Sequence, residues 1–173
     1  MGRQFFCKLP GMTTEVPWHQ DAQYWPLTPH DTVTVWLAFY DSDEENGAMR
    51  VVAGSHEAGL FTHDKAENVL NQSIDEGQFS EEDIVTIDLK AGEMSLHDDR
   101  LIHGSGASLS GKRRVGLTMR FSPTNVKGDL SVWPTFEAYT VRGTDAFNHN
   151  PVGKIPTQDG YPIRRLQKSS EFA

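Results

Sequence analysis

Cysteine is nearly absent. Cys7 is the only one in 173 residues, which excludes an internal disulfide framework and a thiolate zinc site and suits a reducing compartment. A lone thiol of this kind is expected as a small buried residue. Long apolar runs are missing too, for none approaches the roughly 18 residues of a membrane-spanning helix. The start, Met1-Gly2-Arg3-Gln4, runs straight into the strand-like Phe5-Phe6-Cys7 with no signal-peptide cleavage region. Nor does Met1-Gly2 form a myristoylation signal, because Phe6 stands where Ser or Thr is required. Positive charge is scarce, with 16 Lys and Arg against 24 Asp and Glu and a net charge of −8. That balance argues against a nucleic-acid partner, which requires a basic stripe, and Lys112-Arg113-Arg114 is too short to supply one. The expected setting is cytoplasmic, without membrane or nucleic-acid contacts. Internal repeats and low-complexity segments are absent as well.

What is present is an ordinary globular composition, 37% hydrophobic and 23% charged. The length suits one domain over residues 1–173, with a core at about 4–121 and a loop-rich tail at 122–173 that carries five of the prolines. Short strand signals dominate. Gln4 to Leu9 reads as a strand ended by Pro10-Gly11, and Thr13 to Asp21 reads as extended chain. The clearest strand is Thr32 to Tyr40, with Val33, Val35, Leu37 and Phe39 on an apolar face and Thr34, Trp36 and Ala38 on a mixed one. Arg113 to Phe121 alternates in the same way. Val115, Leu117, Met119 and Phe121 share a face with Arg113, and Gly116, Thr118 and Arg120 share one with Arg114. Met49 to Ala53 and Ile84 to Leu89 are shorter strands, and Thr62 to Asn71 is the one helix expected. Asp41 to Gly47 is an acidic loop ending in an Asn-Gly turn pair. It fails as a calcium loop, since Asn46 and Val52 occupy the places of the required Gly and Glu, and it reads as a solvated turn. The pattern is that of an all-β sandwich or barrel with minor α content.

His19 and Asp21 are separated by one residue in extended chain, so both side chains would leave on one face, rooted roughly 6–7 Å apart. An imidazole and a carboxylate so placed can converge on one cation while a third ligand comes from elsewhere. Two histidines and a carboxylate on one face of a metal is the arrangement of non-haem Fe(II) oxygenases. A second His-x-Asp, His97 to Asp99, is a rival. No second distal His followed by an Arg exists for that pair, so His97 is expected to act in support or at the surface. His30, His56, His63 and His149 sit in loops or turn edges and take no chemical role. Tyr24, Trp25, Trp133 and Arg120 are candidates to line a substrate pocket.

Four stretches taken in order resemble the phytanoyl-CoA dioxygenase family of Fe(II)- and 2-oxoglutarate-dependent oxygenases. They are Trp18 to Trp25, Asn46 to Met49 leading to Ala53-Gly54-Ser55-His56, Leu101 to Gly106, and Arg113-Arg114. The similarity runs from about Gln4 to Phe121. It implies a mainly β double-stranded β-helix, or jelly roll, of cupin-like form. It also implies iron held by His19, Asp21 and His103, with 2-oxoglutarate and O2 as cosubstrates. Arg114 matches the residue that pairs with the distal carboxylate of 2-oxoglutarate, a task suited to a planar, permanently charged fork. Ser105 falls where the family adds a hydroxyl to the same carboxylate, and Trp36 and Gln4 fall at positions flanking the cosubstrate. The mixed faces that carry Trp36 and Arg114 would then line the barrel.

The activity so implied is hydroxylation of a small organic molecule with release of succinate and CO2. The alternative is a shortened, catalytically inactive jelly roll that binds metal or ligand. The sequence departs from the family in lacking the usual long N-terminal portion, and Ala53 replaces a common proline. An apolar sheet face left uncovered by that shortening would favour self-association.

Overall fold

Residues 4–154 are described in the computed structural model of the chain. Twelve strands and five short 3-10 helices make up the regular structure, and no α-helix occurs among the described residues. The small helical content is therefore all 3-10. No helix among the described residues is long and apolar enough to cross a membrane.

Eight strands form two four-stranded sheets. The first contains β1 (Gln4–Lys8), β4 (Val33–Ala38), β9 (Met94–Asp98) and β11 (Arg114–Phe121), in the order β1-β11-β4-β9. The second contains β2 (Val16–His19), β5 (Met49–Val52), β8 (Ile84–Ile87) and β10 (His103–Ser105), in the order β2-β10-β5-β8. All neighbours are antiparallel. Consecutive strands fall in alternate sheets for much of the chain, as a double-stranded β-helix requires. β12 (Lys127–Gly128) pairs with β3 (Leu27–Thr28), and Leu27, Val126 and Phe136 bury one another there, with Trp25 and Trp133 packed on them. Residues 155–173, the remainder of the expected tail, lie outside the described residues.

The second sheet turns Trp18, Val52 and Ile102 away from the cavity between the sheets. Ile74, Phe61 and Phe79 from the 59–79 segment cover them. The first sheet has no such cover among the described residues. Phe5, Val33, Phe39, Met94, Leu96 and Phe121 stand exposed on its outer face.

Three expectations change. Thr62–Asn71 is not helical. It holds β6 (Asp64–Lys65) and runs to β7 (Gln72–Ser73), which pair as a hairpin. Asn71 has φ 60° and the Asn68 side chain accepts from the Leu70 amide, so local polar bonds beat helix propensity. Cys7 is exposed rather than buried, because strand alternation sends it to the outer face of β1. The acidic loop is not simply solvated. Asp43 and Asn46 form a reciprocal capping box, and Asn46 is fully buried with its amide donating to the Asp41 carbonyl. Gly47, at φ 75°, lies so close to the Gly106 carbonyl that a Cβ would meet it at 2.6 Å. The loop thereby packs against the chain just beyond His103.

Candidate metal centre

His19 ends β2, and His103 opens β10 directly opposite it in the antiparallel register. Close approach of the two strands depends on Gly104, where a Cβ would lie 2.9 Å from the Val16 carbonyl oxygen. The imidazoles lie against each other at a tilt of 47°, with centroids 4.1 Å apart. Asp21 does not continue the strand. It begins a 3-10 turn, Asp21–Gln23, and this turn rather than β alternation swings its carboxylate toward the two rings. One ligand atom from each of His19, Asp21 and His103 lies within 4.8 Å of the others. His19 Nε2 and Asp21 Oδ1 are 3.9 Å apart, within the roughly 4.4 Å that two ligands bound to a common ion can span.

The donor chemistry fits a divalent cation. His19 Nδ1 lies 2.8 Å from the Pro17 carbonyl and His103 Nδ1 lies 2.9 Å from the Leu101 carbonyl. Donation of an N–H to each carbonyl leaves both Nε2 lone pairs aimed at the centre. Thr34 Oγ1 donates to Asp21 Oδ2 at 3.2 Å and leaves Oδ1 for a metal. Burial, with repulsion from His103, holds His19 well below its ordinary pKa and keeps it neutral, the form that binds metal.

Gln20, between the two ligands, was not singled out by sequence. It is fully buried and faces the other way. Its amide donates to the Gly59 and Arg100 carbonyls and accepts from the Phe61 amide, which pins the His-x-Asp segment to two loops remote in sequence.

A cavity of about 310 Å³ opens over the cluster, between the sheets. Every expected cosubstrate residue reaches it: Gln4, Trp36, Ser105 and Arg114 all line its walls. Arg114 is buried and Arg113 exposed, as alternation predicts. The Arg114 guanidinium lies 4.5 Å from the Trp36 ring centroid, and its Nε donates to Ser42 Oγ at 3.2 Å. The Trp36 indole occupies the space over Gly116, where a Cβ would sit 2.1 Å from the ring. Burial lowers the Arg114 pKa to about 10, so it remains charged at neutral pH.

Lys8 is a second buried cation that sequence reading passed over. It neighbours Arg114 across the β1–β11 ladder and donates to the Thr14, Ser105 and Gly106 carbonyls. Burial, then Arg114, lowers its pKa to about 8. Its inward position followed from alternation with Phe6, had that strand been read for its faces.

The rival histidine belongs to the same cavity. His97 is buried, with its ring centroid 4.8 Å from that of His103. Burial, and then His103, lowers its pKa to about 3. Of the candidate pocket residues, Tyr24, Trp25 and Arg120 line the cavity, while Trp133 stacks on Phe136 in the tail cluster.

Two facing four-stranded antiparallel sheets with a His-Asp-His cluster beneath a cavity define the non-haem oxygenase form of the double-stranded β-helix. The apo form of the non-heme monooxygenase ThoJ has this fold, matching 91% of this chain and 57% of that chain at 27% identity and a TM-score of 0.75. The phytanoyl-CoA dioxygenase (PhyH) family profile matches residues 1–116, and the chain belongs to that family. The Dictyostelium discoideum phytanoyl-CoA dioxygenase domain-containing protein 1 homolog is 32% identical over 76% of this chain and 47% of its own length. The Stutzerimonas stutzeri protein named "Probable alpha-ketoglutarate-dependent hypophosphite dioxygenase" is 29% identical over 72% of this chain and 43% of its own. The chain thus spans about half the length of these curated relatives.

Proposed function

We propose that the protein is an Fe(II)- and 2-oxoglutarate-dependent dioxygenase that hydroxylates a small organic molecule. The observation that carries this reading is the convergence of His19, Asp21 and His103 under a cavity that also holds a buried Arg114. Membership of the family supports it, as does the cosubstrate in the name of the Stutzerimonas stutzeri relative.

In this reading His19 and His103 offer their Nε2 atoms and Asp21 offers one carboxylate oxygen, a mixed set suited to a redox-active divalent ion with open positions. The iron, when bound, supplies O2 activation coupled to decarboxylation of 2-oxoglutarate to succinate. The chain's part is binding, orientation and exclusion. Arg114 receives the distal carboxylate in a bidentate pair, held in aim by Trp36 beneath it and Ser42 behind it. Ser105, two residues past His103, offers its hydroxyl to the same group. Phe6, Met49 and Trp36 wall the cavity with apolar surface and limit water. Asp21 bears on the reaction type, because a carboxylate in the third ligand place leaves none for a halide, which favours hydroxylation or another oxygen-rebound outcome over halogenation.

The test is succinate formation by the purified chain with Fe(II), 2-oxoglutarate and O2. Succinate that requires all three, and is absent in His103→Ala, is expected. A parent protein that forms none contradicts the proposal and favours the ligand-binding jelly roll.

A further inference from the structure

The cavity contains more recognition chemistry than the metal and one dicarboxylate use. Arg120, Thr34 and His97 are successive partners across β11, β4 and β9, so their side chains form one inward row beside the metal cluster. Thr34 is committed to Asp21. The other two are not ligands of the cluster. His97 is 6% exposed and neither ring nitrogen has a hydrogen-bond partner among the described residues. The buried Tyr24 hydroxyl, on the same cavity wall, also lacks one. Unsatisfied buried polar atoms are costly, and two residues that carry them line one cavity, which marks a place built for a ligand.

The donors of that place select the ligand. Arg120 is aimed by stacking at 5.1 Å on Trp25 and by donation from Nη1 to Thr118 Oγ1 at 3.1 Å. Asp21 is the one carboxylate among the described residues lining the cavity, and it converges with His19 and His103. Arg120 stands six residues along β11 from Arg114, about 20 Å between their Cα atoms at strand rise.

We propose that Tyr24, His97 and Arg120 recognise a carboxylate carried by the molecule to be oxidised, in addition to the cosubstrate at Arg114. A hydroxyl, an imidazole N–H and a guanidinium are all donors, the complement of an acceptor-only group. The substrate class is then a small organic acid whose carboxylate is held beside the metal cluster. This rests on the cavity being the metal and 2-oxoglutarate site.

Anaerobic calorimetry with phenylacetate and its uncharged isostere phenylacetamide tests the inference, on both the metal-free protein and the protein loaded with Fe(II) and 2-oxoglutarate. The parent is expected to prefer phenylacetate by about 10-fold or more in both forms. Arg120→Gln and the isosteric Tyr24→Phe should each erase most of that preference while phenylacetamide and 2-oxoglutarate bind within about 2-fold of the parent. Arg120→Lys should keep part of it. Equal affinity for the two probes in the parent, or no binding of either, overturns the inference. So does an Arg120→Gln variant that loses 2-oxoglutarate as severely as phenylacetate. If the parent fails to bind Fe(II) and 2-oxoglutarate yet still prefers phenylacetate when metal-free, the functional reading fails and the carboxylate site stands.

Discussion

The two faces of the β1-β11-β4-β9 sheet are made by the same four strands and have opposite chemistry. Inward stand Lys8, Arg114, Thr118, Thr34, Trp36 and His97, all buried. Outward stand Phe5, Leu117, Leu37 and Met94 in one rank across the sheet, with Met119, Val35 and Leu96 in another. A sheet with one wetted face ordinarily puts its polar residues in water and its apolar ones inside. Here the polarity is reversed. Burying two cations and a histidine is expensive unless something pairs with them. The inner face is therefore the face of a binding site, and the outer one is an apolar surface whose cover is not among the described residues.

The sharpest way to break this contrast is to remove the ligands the cavity is built around. His19→Ala, Asp21→Ala and His103→Ala should each abolish tight Fe(II) binding, since two ligands rarely hold a labile divalent ion, while His97→Ala keeps its metal. Metal content after gel filtration reads the outcome, and equal iron loss in His97→Ala would contradict the ligand set. Next in size is the pair of adjacent arginines that β11 sends to opposite faces. Arg114→Ala should weaken 2-oxoglutarate by about 30- to several-thousand-fold, the equivalent of roughly 2–5 kcal/mol. Arg113→Ala, with its guanidinium outside near Tyr40, should cost about 0–1 kcal/mol. Anaerobic cosubstrate titration of both variants decides the strand register.

A smaller effect comes from Asp99, fully buried just past the end of β9, with neither carboxylate oxygen partnered among the described residues. Burial, then the nearby Asp98 charge, pushes its pKa up to about 7. A raised carboxyl pKa means that the folded state holds the proton more tightly than the unfolded chain. Stability is therefore lost as pH rises from about 4 to about 7. In metal-free protein, denaturant unfolding should show this fall, and Asp99→Asn should reduce it by on the order of 3 kcal/mol. Identical pH profiles for the two proteins would remove Asp99 from the account. The smallest effect belongs to the outer face. Leu96, 64% exposed, should accept Glu with a stability change within about 0.5 kcal/mol, unaltered metal and cosubstrate binding, and reduced binding of an apolar dye.

How much of this was legible beforehand follows from which features depend on local pattern. Strand alternation put Arg114 and Trp36 each on the mixed face of its strand and Arg113 on the opposite one, because a period of two needs only the sequence, while the family resemblance pointed those mixed faces inward. The His-x-Asp and the distal His-Gly-Ser were readable as motifs. Their geometry was not, for Asp21 reaches the rings through a 3-10 turn, which a three-residue spacing cannot distinguish from a strand. The role of Gln20 was hidden because its three partners come from loops around positions 59–61 and 100, remote in sequence. The hairpin at Thr62–Asn71 was missed for a related reason. Its amphipathic spacing is compatible with a helix, and the competing bonds of Asn68 and Asn71 are set by the turn itself.

If the inner face binds Fe(II) and 2-oxoglutarate together, an anaerobic titration of the purified protein shows it. Fe(II) is added to the purified chain, then 2-oxoglutarate, while visible absorption is followed. A charge-transfer band should appear only with both present, saturate at one equivalent of each, be lost in His103→Ala and shift to far higher 2-oxoglutarate in Arg114→Ala. A parent protein that binds iron tightly yet develops no band at any 2-oxoglutarate concentration would contradict it.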